Sequence, residues 1–86
     1  MVEARLIAFI ARSERRKEIL NLLSGERMGQ PTIMRTTSMY KSHVSRTLKE
    51  LLEQKLIICE NPEDRSFKFY RISRMGRNAL KEIENF

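Results

Sequence analysis

The sequence predicts an α+β fold in which a tri-helical core is followed by a two-stranded β-hairpin and a C-terminal helix. Three observations predict it. Aliphatic residues recur at helical spacing on either side of a short stretch led by Pro31. Two runs rich in β-branched and aromatic residues, Leu56–Cys59 and Phe67–Ile72, flank a segment of turn chemistry. Beyond them the apolar spacing returns to that of a helix. With 86 residues the chain reads as one domain, 1–86, able to bury a single modest core.

The N-terminal segment, 1–12, places Val2, Leu6, Phe9 and Ile10 on one helical face, although a strand over Leu6–Ile10 competes with that reading. Ser13 is a good N-cap, with Glu14 favourably placed in the first turn. Ile19, Leu20, Leu22 and Leu23 form the stripe of a helix over about 13–24, which Gly25 stops. Pro31 suits the start of a short second helix whose Ile33 points inward. Thr36-Thr37-Ser38 makes a poor helix interior and reads as a turn, with Met39 plugging the core beneath it.

A long helix follows over about 40–54, where Val44, Leu48, Leu51 and Leu52 share one apolar face. Its opposite side carries Ser42, Arg46, Lys49 and Glu53, flanked by His43 and Ser45, and acids enter only in its later turns. Asn61–Ser66 is a turn by composition, and the strands either side of it pair antiparallel. Ser73 caps a last helix with Ala79, Leu80, Ile83 and Phe86 on its buried stripe. Phe67 and Phe69 fall on the strand face opposite Tyr70 and Ile72. That face requires either a local twist or cover from the last helix, the N-terminal segment or a second subunit. Met28, Met34, Met39 and Met75 read as core fillers, and Cys59 as a strand residue.

A composition 41% hydrophobic and 33% charged fits a folded domain better than disorder. The net charge is +6, and its distribution says more than its size. Arg27, Arg35, Lys41, Arg46 and Lys49 lie in one window without an acid. Arg65, Lys68, Arg71, Arg74, Arg77 and Lys81 lie in another, and the remaining chain is net acidic. Such blocks are either solvated faces or one side turned to a polyanion.

A short helix, a tight turn and a longer helix with a basic, acid-poor leading half together make a helix-turn-helix, and a hairpin directly after it makes it winged. A helix fits the major groove of B-DNA, where each base pair shows its own donor and acceptor pattern. Lys41, Ser42, His43, Ser45 and Arg46 are side chains suited to that surface, with Lys49 one turn on and Tyr40 able to reach a phosphate through its hydroxyl. In the wing, 60–68, Arg65 and Lys68 suit phosphates or the minor groove, although Glu63 and Asp64 oppose this unless they point away. His43 reads equally as a surface histidine without a task. Ser45 reads equally as a small residue that lets two helices approach.

The run from Ser38 to Leu51, with its Ser42-His43-Val44-Ser45-Arg46 centre, resembles the recognition segment of archaeal winged-helix regulators related to the MarR and ArsR groups. Arg12-Ser13-Glu14-Arg15-Arg16, Leu56–Glu63 and Phe69–Ser73 extend the similarity over about residues 9–80. The resemblance implies a transcription factor that works as a homodimer on double-stranded DNA. Surplus apolar residues at both ends, Leu6, Ile7, Phe9 and Ile10 with Leu80, Ile83 and Phe86, suit the same expectation. Two departures stand out. Ser38 occupies a turn position where such proteins have Gly, so it must accept a left-handed backbone, and Tyr40 replaces a Ser or Thr cap.

Other function classes fit less well. A single Cys and a single His leave no thiolate- or imidazole-rich metal site within one chain, and no cofactor is expected. No paired carboxylates, nucleophile–base pair or phosphate loop point to an enzyme. The length leaves no room in this chain for a separate effector domain, so a small-molecule effector stays unspecified. No apolar run is long enough for a membrane span, no signal peptide is evident, and the lone Cys59 suits a reducing cytoplasm. The nearest alternatives are an RNA-binding winged helix, in which Phe67, Phe69 or Tyr70 would stack on bases, and a protein-interaction module, which would not need the acid-free windows.

Overall fold

Five helices and a small antiparallel sheet enclose one aliphatic core in the computed structural model, which describes residues 2–84. The order is α1 (Ala4–Ala11), α2 (Glu14–Gly25), β1 (Met28–Gly29), α3 (Gln30–Thr37), α4 (Lys41–Glu53), β2 (Ile57–Cys59), β3 (Phe69–Ile72) and α5 (Arg74–Glu84). This is the α+β arrangement expected, with a tri-helical core of α2, α3 and α4.

The N-terminal segment is a helix. Leu6 and Ile10 are buried on its inner face, and α1 packs on both α2 and α5. The apolar surplus at the two ends of the sequence is therefore largely covered within one chain, Leu6 and Ile10 meeting the same core as Ala79 and Leu80. Ile7, Phe9 and Ile83 stay half-buried around it, and Phe86 lies outside the described residues.

Ser13 caps α2 as its chemistry predicts, its hydroxyl accepting from the Arg16 N–H at 3.3 Å. Ile19, Leu20 and Leu23 of α2 meet Ile33 of α3 and Val44, Leu48 and Leu51 of α4 in the core. Thr36 and Thr37 do not form the turn expected of them. They end α3 as helix, because their hydroxyls donate to the carbonyls of Thr32 and Ile33 one turn back, at 2.8 and 2.7 Å. The turn begins at Ser38, which takes the left-handed conformation at φ 59°. The Thr37 hydroxyl then accepts from the Met39 N–H and steadies the crossing into α4. Tyr40 is the N-cap of α4 without a side-chain cap bond, as its phenol ring is too large to fold back on the helix end.

The sheet has the strand order β1-β3-β2. Cross-strand partners Ile57 and Ile72, and Cys59 and Tyr70, set the antiparallel register of the hairpin. Two features depart from the sequence reading. Met28 and Gly29 add a third strand along Phe69 and Tyr70, too short to show a pattern of its own. The second hairpin strand starts at Phe69, two residues later than expected. Here Asn61 stands in for a strand: its side chain accepts from the Phe69 N–H and donates to the Phe67 carbonyl, at 2.8 and 2.6 Å. Pro62, which follows it, has no N–H to continue the ladder. Phe67 is released to stack against Phe69, ring centroids 4.9 Å apart, and to cover Gly29, where a Cβ would sit 2.8 Å from its ring. Phe69 is thus half-buried at the base of the hairpin, whereas Phe67 stays 44% exposed beside it, so local burial is met by only one of the two rings.

Candidate nucleic-acid interface

The apolar stripe of α4 fixes which of its residues meet solvent. With Val44, Thr47, Leu48 and Leu51 buried, Lys41, Ser42, Ser45, Arg46 and Lys49 are exposed in one continuous outward strip. The leading turn holds no acid. Tyr40, 77% exposed, stands at the entrance to the helix and meets the half-buried His43 edge to face, centroids 5.9 Å apart. His43 thus has an aromatic neighbour at the entrance to the helix. Ser45 faces α3, and its hydroxyl accepts from Gln30 Nε2 at 2.7 Å. It is small and hydrogen-bonded across the two helices, as a residue at their approach would be.

The wing supplies the other side. Arg65 and Lys68 are exposed and line an open groove of about 810 Å³ together with Arg35, Lys41, Ser38 and Gln30. Met34, Met39, Pro31 and Phe67 floor it. Four cations from α3, α4 and the wing therefore ring one depression. The acids that sequence reasoning set against a wing contact divide. Glu63 is exposed, whereas the Asp64 carboxylate turns back into the hairpin and accepts from Ser66 N–H, Ser66 Oγ–H and Phe67 N–H at 2.9, 2.9 and 3.0 Å. These bonds, first that from Phe67, hold its carboxyl below the usual carboxylate range.

On the far flank of α4 a smaller polar hollow of about 160 Å³ brings Arg46 and His43 beside Arg15 and Ser13. Glu50 also lines it, but Arg16 neutralises that carboxylate with a two-pronged ion pair at 3.2–3.3 Å. Among the described residues, Arg35, Lys41, Arg46, Lys49, Arg65 and Lys68 have no carboxylate within ion-pair distance.

The two basic sequence windows are not one face. Arg27 and Arg71 both bind Glu60, at 2.9 and 3.5 Å, and Arg27 also lies over the Phe69 ring. Arg74, Arg77 and Lys81 ride on α5, which packs on α1 and α2, and Arg77 reaches the Ser24 carbonyl. Periodicity could not separate these from the wing cations, because the separation is made by the turn at Ser73. Conversely, Arg15, marked in the sequence only as part of the resembling run before α2, and Gln30, not marked at all, sit beside the strip. Their positions depend on how α2 and α3 cross α4. Among the described residues no cluster of three or more His, Cys, Asp or Glu could hold a metal ion, and no helix is long and apolar enough to cross a membrane.

No known protein family and no curated protein matches the chain by sequence. Solved structures do match its fold. A regulator from Streptococcus pyogenes described as adhesin competence repressor AdcR superposes with a TM-score of 0.73 at 16% identity over 85% of this chain and 55% of its own. A double mutant of ZitR from Lactococcus lactis gives 0.75 at 22% identity, over 85% of this chain and 51% of its own. A fragment of a possible transcriptional regulatory protein from Mycobacterium bovis gives 0.71 at 22% identity, over 92% and 81%. The chain spans about half the length of the first two. At these identities the likeness is one of fold: the chain has the winged-helix architecture found in transcriptional regulators.

Proposed function

We propose that the protein binds double-stranded DNA as a transcription regulator, with α4 in the major groove and the wing against the backbone or minor groove. One observation carries the reading. Six cations without carboxylate partners among the described residues, Arg35, Lys41, Arg46, Lys49, Arg65 and Lys68, border the outward strip of α4 and the adjoining groove, while two acids beside them, Glu50 and Asp64, are bound internally. On this reading Ser42, His43, Ser45 and Arg46 face base edges, and Tyr40, Lys41, Lys49, Arg65 and Lys68 fix the helix against phosphate or the minor groove. The fold shared with transcriptional regulators, and the sequence resemblance to the MarR and ArsR groups, support the same assignment.

A homodimer on two half-sites, their centres about 10 bp apart, stays part of the proposal on a narrower footing. The apolar ends are mostly covered within one chain, leaving the half-buried Ile7, Phe9 and Ile83 as material for a contact. Light scattering at micromolar concentration, with footprinting on the selected site, separates one copy per site from two.

The deciding experiment is fluorescence anisotropy with labelled duplexes across a salt series, against a structured RNA competitor. Affinity for duplex DNA is expected to fall with a log–log slope of about −0.9 per neutralised phosphate. Replacing Arg46 by Ala is expected to cost about 1–3 kcal/mol and relax specificity at one position, whereas Lys68→Ala weakens all sequences alike. Affinity indifferent to salt, or preference for the RNA, would refute the assignment.

A further inference from the structure

The first residue of α3 reaches across to the outward strip of α4. Gln30 Nε2 donates to Ser45 Oγ at 2.7 Å, bridging fifteen positions of sequence and two helices. The bond has three chemical consequences. It uses one of the two amide hydrogens of Gln30, leaving the second hydrogen and the carbonyl oxygen free. It occupies a lone pair of the Ser45 oxygen, so the serine hydrogen is free to donate outward. It also restrains a long, flexible side chain that would otherwise lose rotamer freedom on binding. Ser45 lies between Lys41 and Lys49 on the strip, one helical turn from each. The amide is therefore held, with a donor and an acceptor available, at the edge of the surface proposed to meet bases.

A glutamine amide pairs with adenine through both of its functions, donating to N7 and accepting from the N6 amino group. We infer that Gln30, positioned by Ser45, is a specificity-determining residue of the interface and selects adenine at one position of the site. The inference rests on the proposed DNA binding and adds a reading residue from outside the recognition helix. Gln30 lines the groove between α3 and the wing as well, which leaves its amide open to solvent from that side.

The test is selection of bound sequences from a random duplex library with the full chain and three variants, each checked for an unchanged melting transition. The wild type is expected to show one position at which adenine is preferred about 5- to 150-fold, the range of a good two-pronged contact. Gln30→Ala is expected to lose that preference while all other positions keep theirs. Gln30→Glu offers only acceptors and is expected to move the preference toward cytosine, whose N4 donates. Ser45→Ala leaves the amide in place but unrestrained, and is expected to blur the adenine position in addition to any position that the Ser45 hydroxyl itself meets. Uniform weakening by Gln30→Ala at every position would make Gln30 a phosphate contact and overturn the inference. So would an unchanged profile, and a Ser45→Ala profile as sharp as wild type would overturn the positioning role. Failure of the wild type to bind any duplex would instead strike at the parent reading, and is told apart because it appears before any variant is compared.

Discussion

Arg16 grips Glu50 from across the core: Nε and Nη2 donate to the two carboxylate oxygens at 3.3 and 3.2 Å. The same guanidinium donates through Nη1 to the Phe9 carbonyl at 2.7 Å and lies 3.8 Å from the centre of the Phe9 ring. One side chain thus joins α1, α2 and the helix proposed to read DNA. It also cancels the acid closest to Arg46 and His43 in the polar hollow on that flank. Arg16→Leu leaves a carboxylate and a carbonyl without their donor in a half-buried site, and is expected to cost about 1–3 kcal/mol. Urea denaturation reads the loss directly. Glu50→Gln keeps one acceptor and is expected to cost less. Equal losses for the two variants would show that the Phe9 contacts contribute nothing.

Gly76 is the most closely packed of the three glycines. A Cβ there would press into the Leu56 carbonyl oxygen and lie 2.8 Å from Ile72 Cγ1. That carbonyl accepts from the Ser73 N–H, whose own hydroxyl donates to Lys55 O and accepts from the Gly76 N–H. The start of α5 is thereby keyed onto the end of α4, and neither backbone can give way without breaking the set. Gly76→Ala is expected to destabilise by about 3 kcal/mol, at the upper end of overpacking costs. A thermal midpoint within a degree or two of wild type would mean that α5 can shift outward freely.

Most of this architecture was legible in the chain because it rests on local rules. The stripes of α2 and α4, the Ser13 cap and the turn residues at Asn61–Ser66 each declare themselves within a few positions. What stayed hidden depends on contacts between distant segments. β1 exists only because Met28 and Gly29 meet Tyr70 and Phe69, and its two residues carry no period. The early end of the hairpin ladder follows from an Asn61 side chain acting as backbone, which composition reads only as turn. The same holds for the site. The outward strip of α4 followed from periodicity, whereas Arg15 and Gln30 entered through helix crossings, and the cations of α5 left it through a turn.

Among the described residues two other than glycine hold a left-handed backbone, Ser38 at φ 59° and Lys55 at φ 60°. Lys55 closes α4 in a Schellman pattern: Leu56 N–H donates to Leu51 O, and Lys55 N–H to Leu52 O, both at 3.0 Å. Leu56 and Leu51 are both fully buried beneath it, so the turn cannot relax to another conformation. A side chain in this region costs about 1–2 kcal/mol, offset in a glycine variant by roughly 0.5–1 kcal/mol of extra unfolded-state freedom. Lys55→Gly and Ser38→Gly are each expected to stabilise by about 0.5–1 kcal/mol, additively because they lie at opposite ends of α4. Denaturation midpoints check this. A loss on Lys55→Gly would mean that the lysine stem contributes packing that outweighs the strain.

The wing carries a pH dependence whose sign follows from Asp64. Its carboxylate accepts from two backbone N–H groups and the Ser66 hydroxyl, so folding lowers its pKa. A depressed acid contributes order that is complete above its unfolded value of about 3.9, and that order is lost as pH falls through the lower folded value. The group is fully exposed, so the effect is local to the hairpin and not a term in global stability. In an NMR titration the Ser66 and Phe67 amide signals are expected to shift with a midpoint below the unfolded aspartate value of about 3.9. Asp64→Asn should abolish that shift while keeping the turn closed. Asp64→Ala should free Arg65 and Lys68 from their fixed geometry, weakening duplex binding several-fold at neutral pH with little change in melting temperature. Flat amide signals through the acid range would show that the three donors hold water in solution instead of the carboxylate, and the wing would then be positioned by Asn61 alone.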